Sequence, residues 1–150
     1  MKLEELINND MKECMLKKDM RKLEALRAIK AALLLEKTGK DVNFAEVPET
    51  LEIQLLQRLV KQRRESAAIY IEQNREDLAE VEIYQAEIIE KYLPEQLSEE
   101  EVQEIVKQVV EEVGATSMKD MGKVMGIVTK KIAGKADNKM ISNIVKSLLS

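Results

Sequence analysis

Apolar residues recur every three or four positions along most of the chain, and this spacing predicts helices. Leu3, Ile7, Met11 and Cys14 form one stripe, which predicts a first helix over 3–17. Asp19 is placed to cap a second, whose stripe is Met20, Leu23, Leu26, Ile29 and Leu33, and Gly39 is placed to end it. Lys40–Pro48 reads as the longest irregular segment. A long helix is expected over 49–73, with Leu51, Leu55, Leu59 and Val60 as its early stripe and "KQRRES" (Lys61–Ser66) as a basic turn. Asn74 is suited to break it, because asparagine tolerates the left-handed conformation. A fourth helix over 77–91 uses Leu78, Val81, Ile88 and Ile89.

"YLPEQLSEEE" marks a boundary. Pro94 ends a helix, and Ser98 with Glu101 has the Ser-x-x-Glu spacing of a capping box. Three short helices are expected after it. Val102, Ile105, Val106, Val109 and Val113 make the first stripe, closed by Gly114. Ser117 and Asp120 are a weaker cap signal for the second, which Gly134 ends. Asp137 caps the last, with Ile141, Ile144, Val145 and Leu148. The expected fold is all-α: an N-terminal antiparallel helical bundle over 1–93 and a small three-helix C-terminal domain over 94–150.

Composition supports this and removes much chemistry. Apolar residues are 45% of the 150 but aromatic ones only 3%, so the core is aliphatic. There is no histidine, and Cys14 is the one cysteine. No Ser-His-Asp triad, Cys-His pair or usual zinc site forms within one chain. Cys14 reads as a small buried hydrophobe rather than a reactive thiol. No catalytic, cofactor or metal residue is assigned. The first ten residues carry charges where the apolar part of a secretory signal would sit, and no apolar run approaches a membrane span. With the unpaired cysteine, this leads us to expect a cytoplasmic location and no membrane partner.

Charge is uneven behind a net of −4. Residues 1–64 carry 14 basic and 11 acidic side chains, residues 65–112 carry 3 and 15, and residues 115–150 carry 7 and 2. An acidic middle thus separates two basic ends.

"MKDMGKVMG" (Met118–Gly126) concentrates the candidate chemistry. At 100° per residue from Met118, Met121, Met125, Val128 and Ile132 fall at about 280–340°, an expected buried stripe. Gly122, Gly126, Thr129 and Ala133 fall at about 20–80°, and Lys119, Lys123 and Lys130 at about 100–140°. A small-residue strip beside a lysine ridge suits the close approach of another helix. It equally suits a phosphate-bearing partner lying on bare backbone. "GKADNK" (Gly134–Lys139) adds Lys135 and Lys139 at a helix N-terminus, with Asp137 competing as the local anion. From Leu93 on there is no aromatic ring for base stacking, so any nucleic-acid contact there would read backbone and shape.

Arg63–Glu101, Lys119–Gly126 and Gly134–Asp137 together resemble the signatures of the YqeY-like family, and the resemblance covers nearly the whole chain. Its C-terminal part is similar to the tail of the B subunit of glutamyl/aspartyl-tRNA amidotransferase, through Gly122–Met125 and Gly134–Ala136. That tail contacts the tRNA body and does no chemistry. The resemblance therefore implies a non-catalytic tRNA-binding or tRNA-associated accessory protein. Its candidate residues are Lys119, Gly122, Lys123, Gly126, Lys130, Lys135 and Lys139. Candidate partners are tRNA and amidotransferase or aminoacyl-tRNA synthetase components. Two alternatives stand beside it. One is a protein-interaction module docking through the acidic middle. The other is the family-level label of a carbon–nitrogen ligase with glutamine as amido donor. For that label the sequence offers only carboxylates such as Glu80, Glu82 and Glu87, in a run that reads as a solvated face. Asn74 departs from the glycine expected in that region of relatives.

Overall fold

A computed structural model describes residues 2–38 and 47–150. Gly39, Phe44 and most of the segment expected to be irregular lie outside the described residues. Within them the chain is all-α: seven α-helices, one 3-10 turn and no strand. No described helix is long and apolar enough to cross a membrane. The chain divides into two compact units, Met1–Leu93 and Pro94–Ser150.

The first unit holds α1 (Leu3–Lys17), α2 (Met20–Thr38), α3 (Glu49–Glu72) and α4 (Glu76–Glu90). Lys18 in left-handed geometry ends α1, and the Asp19 carboxylate accepts from the Lys22 N–H at 3.2 Å to start α2. Leu3, Ile7, Met11 and Cys14 of α1 pack with Leu23, Leu26, Ile29 and Leu33 of α2 in one aliphatic core. Burying each of the larger side chains contributes on the order of 2 kcal/mol. Burial pushes the Cys14 thiol up, away from the reactive thiolate.

Asn74, at φ +60°, turns the chain between α3 and α4. From there α4 folds back along α3, with Arg63 donating to Gln85 at 3.1 Å and Arg64 to Glu90 at 2.7 Å. The Tyr92 hydroxyl donates to Asp10 of α1, which pins the end of the unit to its beginning.

Three expected stripe positions are exposed: Met20 and Val81 in this unit, and Leu148 in the second, where Leu149 is buried instead. Met20 is the first residue of α2 and has no preceding turn to pack beneath. On α4 the buried positions are Ala79, Ala86, Ile88 and Ile89, because α3 approaches closely enough to bury a side chain as small as alanine.

The second unit holds α5 (Glu99–Val113), a 3-10 turn (Met118–Asp120), α6 (Met121–Lys131) and α7 (Asn138–Leu149). Ser98 and Glu101 complete both halves of the capping box, at 3.2 Å and 3.1 Å. Gly114, at φ +66°, closes α5. The three helices pack on one another in pairs around Val102, Val106, Val109, Val124, Val128, Ile141 and Val145.

Candidate nucleic-acid interface

The glycine helix forms, but its start and its buried face differ from expectation. Met118–Asp120 winds as a 3-10 turn, and α6 begins only at Met121. The Ser117 hydroxyl caps that turn, accepting from the Lys119 N–H at 3.4 Å. The Asp120 carboxylate reaches back to the Thr116 N–H at 3.1 Å. Met118 is exposed and Met121 and Met125 are half-buried, while Val124, Val128 and, just past the helix end, Ile132 are buried, the last two as expected. The inward direction is thus turned by about 40° from the methionine stripe. The β-branched Val124 fills the valine-rich space against α5 and α7 that the longer methionines were expected to fill.

This rotation carries the small strip outward. Gly122 and Gly126 lie roughly 120° and 160° round the helix from its buried centre. Both are exposed, and a Cβ built on either meets nothing within 4 Å. Close approach of another described helix therefore does not explain these glycines. The Thr129 hydroxyl, on the same strip, turns back onto the Met125 carbonyl at 2.8 Å.

Lys123 and Lys130 stand on α6 on the same outer half as the glycines, both exposed. Lys119 stands apart from them on the 3-10 turn, and Lys135 and Lys139 lie beyond the far end of α6, in the loop and in the first turn of α7. The candidate cations thus border the length of α6, about 16 Å, rather than forming one cluster. Among the described residues none of the five joins an ion pair. The neighbouring Lys131 does, with Glu112 at 3.5 Å. The two acids of residues 115–150, Asp120 and Asp137, both cap backbone N–H groups, Asp137 accepting from Lys139 at 3.3 Å. The positive charge of these lysines is therefore not taken up by ion pairs among the described residues.

Gln96 braces this region without any signal in the sequence. Its side chain donates to the carbonyls of Pro94 and Gly134, each at 2.8 Å. The Leu97 N–H donates to the Lys135 carbonyl, also at 2.8 Å. The turn that presents Lys135 is thereby held from the start of the unit. No motif in the sequence signals such a bond, which depends on where the turn comes to rest.

The chain belongs to the YqeY-like family: the family described as Yqey-like protein matches residues 4–149. Curated relatives are named "Altered inheritance of mitochondria protein 41, mitochondrial". The relative from Meyerozyma guilliermondii is 31% identical over 125 residues, covering 81% of this chain and 64% of that protein. That from Vanderwaltozyma polyspora is 29% identical, covering 94% of this chain and 78% of the relative. That from Clavispora lusitaniae is 30% identical, covering 82% and 69%. The chain thus spans just under two thirds of the first of these. None of these names states a catalytic activity. They do overturn the cytoplasmic location expected from the sequence, since these relatives are named as mitochondrial. The lack of a secretory pattern and a lone buried thiol bear on the secretory route and on redox state, not on which reducing compartment holds the protein.

Proposed function

We propose that the chain is a non-catalytic tRNA-binding or tRNA-associated accessory protein, built from an N-terminal helical bundle and a three-helix domain related to the amidotransferase tail. One observation carries this reading. Gly122 and Gly126 leave bare backbone open on α6, with unpaired lysines bordering it. Each glycine costs the helix about 0.5–1 kcal/mol relative to alanine, and no packing inside the unit offsets that cost. A partner with bulky anionic groups would use both features, its phosphates meeting Lys119, Lys123 and Lys130 while its backbone lies over the glycines. Lys135 and Lys139 would extend the interface past the Gly134 turn. No ring is available on this unit for base stacking, which favours a folded RNA body over a single strand.

Filter binding of the full chain to folded tRNA tests the reading. Salt-sensitive affinity that drops in the Lys119→Glu, Lys123→Glu double variant is expected. Affinity unchanged by that variant would show the surface to be wrong.

A further inference from the structure

We propose that an apolar groove at the turn end of the α3–α4 pair docks a basic amphipathic helix of a partner protein. The groove has a volume of about 440 Å³ and is lined by Ile71, Ala79, Ile83 and Tyr84, with Glu76, Glu80 and Glu87 around them. Six of these seven residues belong to α4, spaced three or four apart along one face. The core of the first unit takes Leu55, Leu56 and Val60 from α3 and Ala86, Ile88 and Ile89 from α4. Ala67 and Ala79 are buried outside that core and Tyr84 packs against its edge, so the apolar surface left to solvent in the groove is that of Ile71 and the half-buried Ile83. Ile71 is 52% exposed, a large apolar side chain in water.

Charge selects the occupant. Exposed carboxylates border the apolar centre, and residues 65–112 hold 15 acidic against 3 basic side chains. A nucleic acid is repelled here, and an uncharged segment would leave the carboxylates desolvated without partners. The chain itself displays the chemistry the groove accepts. Arg21, from the first turn of α2, stacks its guanidinium 4.1 Å from the centre of the Tyr84 ring and donates to Glu80 at 2.7 Å. Glu76 and Glu87 join no ion pair among the described residues, and they face the cations of an incoming segment. From Glu76 to Glu87 the face runs about 16 Å, three helical turns, which suits a helix laid into the groove. This surface belongs to the first unit and the lysine-bordered face of α6 to the second, and the proposal does not depend on RNA binding.

The probe is a labelled synthetic peptide of about five helical turns, with leucines on one face and lysines flanking them. It is titrated onto the full chain by fluorescence anisotropy, with circular dichroism verifying that each variant stays helical. Saturable binding is expected, weakened about tenfold by Ile71→Gln and about fivefold or more by Glu76→Gln with Glu87→Gln. The pair Glu100→Gln with Glu104→Gln, on acidic α5, should leave it unchanged. A scrambled peptide of the same composition should bind at least about tenfold more weakly. The proposal is overturned by no binding, by equal binding of the scrambled peptide, or by equal sensitivity to the α5 variant. It is also overturned if the chain sediments as a dimer that Ile71→Gln dissociates, since a second copy then fills the groove.

Discussion

The side-chain amide of Gln96 donates to the carbonyl of Gly134 at 2.8 Å, joining positions 38 residues apart. The same amide holds the Pro94 carbonyl, and Gly134 sits at φ +77°. One partly buried side chain therefore fixes the turn from which Lys135 projects. Replacing Gln96 by alanine strips that carbonyl of its partner and should cost the C-terminal unit about 1–2 kcal/mol. Amide exchange in α7 should quicken by roughly fivefold to thirtyfold. Unchanged exchange would mean that the bond contributes nothing.

The glycines of α6 separate stability from function. Neither is in the left-handed region, and a methyl group at either meets open space. Gly122→Ala and Gly126→Ala should each stabilise the unit by about 0.5–1 kcal/mol in chemical denaturation. The same substitutions should weaken binding to tRNA, because they raise the surface a phosphate backbone would lie on. A variant both more stable and equally tight would remove the reason for retaining glycine.

Tyr92 links the first unit to alkaline pH. Burial first, and the hydrogen bond to Asp10 second, hold its phenol well above the usual tyrosine range. The folded state thus retains a proton that the unfolded state gives up near pH 10. This contribution is complete below about pH 10 and is lost as pH rises toward the folded value. Melting of the wild type should fall more steeply between about pH 9 and pH 11 than melting of Tyr92→Phe. Parallel curves would refute the assignment.

How much of this was legible in the sequence differs from helix to helix. Leu3–Lys17 could be placed from its stripe, and Ser98 with Glu101 from the capping-box spacing, because both depend on neighbours within a turn or two. Asn74 was readable as a left-handed break for the same local reason. The α6 face was not. Hydrophobicity ranks Met121 and Met125 with Val124, and only the space left by α5 and α7 selects the valine. The 3-10 turn at Met118 also displaced the helix start that the angles assumed. Ala79 and Ala86 are not legible as buried positions, because alanine carries little burial signal until the helix distance is known. The lysines and glycines of the candidate interface were all visible in the sequence. Their freedom from ion pairs and from neighbouring helices was not.

The most direct measurement is the salt dependence of tRNA affinity for the full chain and for the Lys119→Glu, Lys123→Glu variant. If the lysine-bordered face of α6 binds tRNA, log affinity should fall linearly with log salt. The variant should bind more weakly, with a slope shallower by about 1.5–2, because two fewer phosphates are neutralised and fewer counterions are released. Equal slopes and equal affinities for the two proteins would contradict binding through that face.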